Sequence, residues 1–270
     1  MGDHYRKLKN FVYEKIKHIK EPTILEFGVR EGVSTKMFIE LCEVQFGNVY
    51  SIDINDCKSV SKSKSWNFIQ SRDGNFDFLK NKISFELNYA HKSINCFMNG
   101  IGVHNSLNAC AALAVCHALE MDLEEISINL SKVTYPSRRM EVHKGLKGSV
   151  LVDDSYNANP ESMKKSLDVM KELEGKKRIF IAGEMRELGE HQDFYHGEIC
   201  KYTKGRVEEF LCIGKLWEEG IKDIPNVGRS FSCKDELLDY LNTKVTKDSI
   251  ILVKGSRSTG MDYIADKLKL

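Results

Sequence analysis

The chain has 270 residues, 40 basic against 39 acidic side chains and a formal charge of +1, so it can bury a substantial core as one large domain or two small ones but lacks the strong field that gathers nucleic acid or an anionic membrane surface. Its eight cysteines form no CxxC pair, and several lie inside apolar runs, which suits buried thiols in a reducing compartment better than a disulfide framework or a zinc site. Residues 1–20 are charged throughout and no apolar run approaches spanning length, so the expectation is a soluble cytoplasmic protein with no membrane span and no metal centre of its own.

Residues 5–19 carry Leu8, Phe11, Val12, Ile16 and Ile19 at helical spacing, which predicts an amphipathic helix ended by Pro22. Thr23 to Gly28 reads as a short strand running into a glycine turn, and Gly32 precedes a helix from about Ser34 to Cys42. A second strand, Val49 to Ile52, ends at Asp53, and a third, Trp66 to Ile69, leads to Ser71-Arg72-Asp73. A glycine turn lets backbone N–H groups approach an anionic or zwitterionic ligand, and an acid after the next strand accepts hydrogen bonds from ribose hydroxyls. The spacing is GxxxG rather than GxGxxG, which argues against a dinucleotide. Glu26-Phe27-Gly28-Val29-Arg30-Glu31-Gly32 with Asp53 resembles the first two motifs of class I S-adenosylmethionine-dependent methyltransferases. The resemblance implies that Glu26, Gly28 and Gly32 lie along the methionine part of S-adenosylmethionine, that Asp53 holds its ribose, and that Asp73 sits near its adenine. It covers residues 1–82 and half of such a domain, because the alternation stops near Ile83; a glycine turn in a generic α/β unit is the plain alternative.

From Ile83 the texture changes. Residues 83–87 alternate as a strand, 93–98 read as its hairpin partner, and an alanine-rich helix runs from Ser106 to Leu119. Asn105 and Asn108 stand three apart at its start, on one face, where amides can read an adenine edge with donor and acceptor together. His104 reads as a helix-entry residue. A helix over 123–130 precedes Arg138-Arg139, where a guanidinium can bridge phosphate oxygens or simply mark an exposed hinge. The apolar strand 149–152 then stops at Asp153-Asp154, and after a polar turn Pro160 opens a helix with Met163, Leu167, Met170 and Leu173 on one face. Such a strand end facing a helix N-terminus is where α/β proteins place ligands, although ordinary turn chemistry accounts for the same residue types. Strands at 178–182, 210–214 and 249–253 alternate with helices at 191–203, 234–244 and 260–268, which predicts a Rossmann-like α/β domain.

Asp153-Asp154-Ser155-Tyr156-Asn157-Ala158-Asn159-Pro160-Glu161-Ser162-Met163 closely resembles the signature of the Mur ligases, in particular of those that add D-alanyl-D-alanine to UDP-N-acetylmuramoyl-tripeptide. Three further stretches resemble family elements in the same order: HNSLNACAA from His104, GEMRELG from Gly183, and VKGSRSTGM from Val253. The resemblance implies a Mur ligase C-terminal domain over 149–270, preceded by a remnant of the central ATPase domain over 83–148. It also implies ATP and Mg²⁺ as cofactors, with UDP-N-acetylmuramoyl-peptide and D-Ala-D-Ala as substrates. Asn105, Asn108, Arg139, Asp154, Tyr156 and Asn157 would then face the nucleotide, and Lys254, Ser256 and Arg257 the carboxylate-bearing substrate. Arg138 stands where the family usually has glycine, Glu184 where it has aspartate and Arg186 where it has leucine. No GxxGK[ST] phosphate loop occurs in the 270 residues. The expectation is therefore a fusion with weak or no ligase activity on its own; the alternatives are an S-adenosylmethionine-dependent methyltransferase carried by the N-terminal half, or a non-catalytic nucleotide- or wall-precursor-binding module whose protein partner supplies the remaining ATPase elements. No catalytic residue is assigned.

Overall fold

The computed structural model describes residues 3–27, 33–53, 58–64, 66–77, 81–89, 92–102, 104–173 and 177–270. They fall into two compact units, Met1–Asn99 with Val103–Val133, and Gly100–Gly102 with Thr134–Leu270. No described helix is long and apolar enough to cross a membrane.

The first unit contains α1 (Asp3–Ile16), β1 (Thr23–Phe27), α2 (Val33–Glu43), β2 (Asn48–Asp53), β3 (Trp66–Asp77), β4 (Lys82–Tyr89), β5 (Lys92–Asn99), α3 (His104–Ala118) and α4 (Leu123–Asn129). Its sheet runs β1-β2-β3-β4-β5, parallel as far as β3 and antiparallel from there. Ile16 of α1 packs on Met37 and Leu41 of α2. On β4 the alternation of Ile83, Phe85 and Leu87 buries one face, as period-two patterning requires. The small side chains Ala109, Cys110 and Ala114 lie on the buried face of α3.

The second unit contains β6 (Glu141–Lys144), β7 (Val150–Asp154), α5 (Pro160–Glu172), β8 (Lys177–Gly183), α6 (Gln192–Tyr202), β9 (Glu209–Ile213), α7 (Glu218–Lys222), β10 (Gly228–Phe231), α8 (Lys234–Lys244), β11 (Ser249–Lys254) and α9 (Asp262–Leu268). Its six-stranded sheet has the order β10-β9-β8-β11-β7-β6, with five parallel strands and β6 antiparallel at one edge. This is the expected Rossmann-like α/β domain. Every residue of β11 is buried, as befits an inner parallel strand covered on both faces. The chain goes from β7 to β8, winds outward through β9 and β10, and returns to place β11 between β8 and β7. Strand order thus reverses beside β7 and β11, and the crevice at their C-terminal ends is where such sheets bind ligands.

The expected divisions at 82 and 148 each fall within a sheet. The division after residue 82 falls inside β4, which pairs with β3 from Ile69–Tyr89 to Asp77–Lys82, so β1 to β5 are one sheet. The division at 148 lies between β6 and β7, also paired. Three short elements, β6, α7 and β10, have no counterpart in the periodicity reading, and β3 extends eight residues beyond the expected Ile69, to Asp77.

Candidate functional site

Asp153 and Asp154 are the last two residues of β7, and successive residues of a strand point to opposite faces. Asp153 turns toward Arg138, whose Nη1 lies 3.4 Å from its Oδ2, and accepts from the Ser155 hydroxyl and N–H at 2.6 and 3.1 Å. Asp154 turns the other way. Its Oδ2 accepts from Lys254 Nζ at 2.6 Å and Ser166 Oγ at 2.9 Å, and its Oδ1 from the Met140 N–H at 3.2 Å. Lys254 and Asp154 are Cα partners at the ends of β11 and β7, so the sheet register itself brings the ammonium and the carboxylate together. Both are buried, and a buried ion pair offsets its desolvation cost only where further hydrogen bonds satisfy it, as Ser166, Met140 and the Asn157 carbonyl do here.

Beyond Asp154 the chain makes the turn Ser155–Asn159 and enters α5. Asn159 caps that helix by accepting from the Ser162 N–H at 2.8 Å, while the Ser162 hydroxyl answers the Asn159 N–H at 3.0 Å; Pro160 takes the first turn, where its missing donor costs nothing. The turn is tied to the end of β11 by two consecutive carbonyls. Lys254 Nζ donates to Asn157 O at 3.0 Å and Ser256 Oγ to Ala158 O at 3.2 Å. Arg139, Asp154, Tyr156, Asn157, Ala158, Asn159, Ser162 and Lys254 line a solvent-open cleft of about 130 Å³. Tyr156 is 41 % exposed, and its ring lies 4.4 Å from the Arg139 guanidinium and 5.7 Å from that of Arg257.

The predicted residues thus divide. Arg139, Tyr156, Asn157 and Arg257 present exposed side chains around the cleft. Lys254 and Ser256, expected to meet a substrate carboxylate, are buried and bonded internally. Asn105 is buried and accepts from the amide of exposed Asn108 at 3.1 Å; both belong to the first unit. Glu26 is buried, with its Oε2 accepting from Thr35 at 2.6 Å and Ser51 at 2.7 Å, so that oxygen is occupied by the protein's own hydroxyls. Gly28 and Gly32 lie outside the described residues, as do the side chains of Asp53 and Asp73.

The departures from the family pattern have local explanations. Arg138 holds φ +63°, the left-handed region that favours glycine. Its N–H donates to Glu141 Oε2 at 3.1 Å, its carbonyl accepts from the Tyr156 N–H at 3.1 Å, and its guanidinium takes Asp266 at 2.9 and 3.2 Å. Arg186 pairs with Glu184 at 2.5 Å, while the other oxygen of Glu184 accepts from the Leu216 N–H at 3.1 Å. Sequence reasoning missed Ser166 and His196. Both lie one helix away from the residues they serve, and only tertiary structure joins them. His196 Nε2 accepts the Met185 N–H at 3.0 Å and its Nδ1 donates to Gln192 O at 2.7 Å, which fixes the neutral tautomer; burial pushes its pKa down.

The exposed guanidiniums, the tyrosine ring and the amide of Asn157 suit an anionic aromatic ligand such as an adenine nucleotide. Mg²⁺ does not fit the cleft, because Asp154, the sole carboxylate in its lining, is neutralised by Lys254. Glu141, His143 and Asp153 have ligand atoms within 4.8 Å of one another, but Arg138 and Lys269 stand 3.4 and 3.9 Å from Asp153 Oδ2, and those two cations oppose a metal ion there.

Residues 138–257 match the family model described as Mur ligase, glutamate ligase domain. Over 213 residues the chain is 35 % identical to the UDP-N-acetylmuramoyl-tripeptide–D-alanyl-D-alanine ligase of Buchnera aphidicola subsp. Acyrthosiphon pisum, covering 78 % of this chain and 46 % of that protein. Against the Escherichia coli enzyme of the same name it is 29 % identical over 220 residues, 78 % of this chain and 48 % of that one. The chain therefore spans about half the length of these curated relatives. Among solved structures, a MurF from Acinetobacter baumannii superposes with a TM-score of 0.71 at 20 % identity, over 91 % of this chain and 58 % of its own. The MurF ligase of Thermotoga maritima in complex with ADP gives 0.68 at 18 % identity, over 95 % and 63 %. This likeness of fold reaches well into residues 1–82, the segment that resembled a methyltransferase.

Proposed function

We propose, from the premise that residues 138–257 are a Mur ligase domain, that this chain serves the ATP-dependent joining of D-alanyl-D-alanine to a UDP-N-acetylmuramoyl-tripeptide. The observation that carries the reading is the DDSYNANPESM turn, seated at the strand-order reversal with Arg139 and Tyr156 lining one cleft and Arg257 5.7 Å from the Tyr156 ring. Bound ATP supplies the phosphoryl group that activates a carboxylate for attack by an amine. The chain's own part is recognition. Arg139 and Tyr156 meet the nucleotide, Arg139 by pairing with phosphate oxygens and Tyr156 by offering a ring face. Arg257 is placed to take the carboxylate of the incoming dipeptide. The 270 residues hold no GxxGK[ST] loop, so binding is the property expected of the isolated chain, and turnover is expected to be weak.

Isothermal titration and thermal shift with ADP, GDP and S-adenosylmethionine in parallel test this. ADP at 100 times its dissociation constant should stabilise the fold by about 2.7 kcal/mol, and S-adenosylmethionine should leave it unmoved. Arg139→Met should weaken ADP binding by about tenfold, the effect of one charge-assisted hydrogen bond. Arg257→Met should instead weaken D-Ala-D-Ala. Absence of any ADP response in the wild-type chain sinks the proposal, and a shift with S-adenosylmethionine alone transfers the function to the first unit.

A further inference from the structure

We infer that the Lys254-Gly255-Ser256 segment is a strap that positions the ligand-facing turn, and that neither polar side chain in it touches the ligand. This deepens the function proposed above and rests on it only for the ligand's identity. Lys254 borders the cleft but is only 3 % exposed, and Ser256 4 %, so a ligand in the open cleft meets the exposed Tyr156 and Asn157 first. The two side chains hold consecutive carbonyls of the turn, Asn157 O at 3.0 Å and Ala158 O at 3.2 Å. Lys254 is itself fixed by Asp154 at 2.6 Å, and Asp154 by Ser166 of α5. The Ser256 hydroxyl accepts from the Arg186 N–H at 2.8 Å, and its own N–H donates to Glu184 O at 3.1 Å. One short segment thus fastens both the 155–159 turn and the GEMRELG loop. Gly255 stands between them because a Cβ there would come within 2.5 Å of Met261 Cγ and 2.9 Å of Gly183 Cα. The Lys254 charge is countered by Asp154, and both side chains direct hydrogen bonds inward to the turn's carbonyls. They set where the Tyr156 ring and the Asn157 amide point.

Amide hydrogen exchange of the full chain without ligand, followed by ADP titration, tests the strap in Ser256→Ala, Lys254→Met and the neutral double variant Lys254→Met with Asp154→Asn. Ser256→Ala should raise exchange in 155–159 and 184–187 by about tenfold, as for one lost hydrogen bond, with β7 and β11 still protected and ADP affinity reduced in step. The double variant, free of an unpaired buried charge, should keep the fold and still show the loosened turn. If Lys254→Met does not fold, Ser256→Ala and the double variant carry the test. Lost binding of ADP or D-Ala-D-Ala with unchanged exchange in 155–159 would mean direct contact and overturn the inference, as would unchanged exchange with unchanged binding. If the wild-type chain binds no ADP, the functional reading fails while the exchange result still decides the strap.

Discussion

At Arg138 a long cationic side chain occupies left-handed backbone, φ +63°, because its guanidinium answers Asp266 and the buried Asp153. Two opposing contributions can be separated by substitution. Arg138→Ala should lose roughly 1.5–3 kcal/mol, the usual worth of hydrogen bonds to a charged group. Arg138→Gly should lose about 1 kcal/mol less than Arg138→Ala, because glycine enters this region without the Cβ penalty. Urea midpoints at constant slope measure both; equal losses would remove backbone strain from the account. His196 gives a pH dependence of definite sign. Its folded pKa is lowered, first by burial, so just below pH 6.5 the unfolded chain binds more protons than the folded one. Stability therefore rises with pH through that window and is lost as pH falls below the unfolded value. Protonation also removes the acceptor of the Met185 N–H. Tm measured from pH 5 to 8 should fall on the acid side, and His196→Gln should flatten that limb. The residue types at the site were legible in the sequence because Asp-Asp-Ser-Tyr-Asn-Ala-Asn-Pro is an unusual string. Which carboxylate faces the cleft was not, since the two differ only in strand face. Nor could the sequence show that Lys254 would be consumed by Asp154, one hundred residues away.

At the scale of elements, α5 shows how local chemistry orders the site. The Asn159–Ser162 capping box and Pro160 start the helix directly after the turn, so the turn has a fixed exit. Asn159→Ala should cost about 1 kcal/mol of stability, read by chemical denaturation, and should loosen residues 155–159 in hydrogen exchange; a full-strength loss confined to the helix C-terminus would contradict the assignment. Elements with strong apolar periodicity were found within a few residues of their observed ends: α1, α3, α5 and the inner strands β7, β8, β9 and β11. Those missed share a physical reason. β6 and β10 are the two edge strands of the second sheet, four residues each, and an edge strand needs little apolar burial to pair. α7 has five residues, too short to show a helical period. The extension of β3 through Ser71 to Asp77 is polar in sequence, and its pairing with β4 comes from the sheet rather than from propensity.

For the whole molecule, the sequence marked a change of texture near Ile83, yet the compact units divide at Val133–Thr134. The reason lies in pairing. Strand β4 begins where the parallel alternation ends and continues the same sheet in antiparallel sense, so a break in periodicity was not a break between cores. The second unit, by contrast, closes its own core around Leu151, Ile179, Leu211, Leu241, Ile251 and Ile264, and the segment leading into it, Val133 to Ser137, is largely exposed and belongs to no helix or strand. Exposed chain of that kind is where proteases cut first. Limited trypsin digestion should cleave after Lys132, itself exposed, and release a fragment beginning at Val133 that persists because its six strands remain paired. Mass spectrometry of the time course would show it as an accumulating species. Equal early cleavage within β7 to α9 would mean that the second unit depends on the first for its stability.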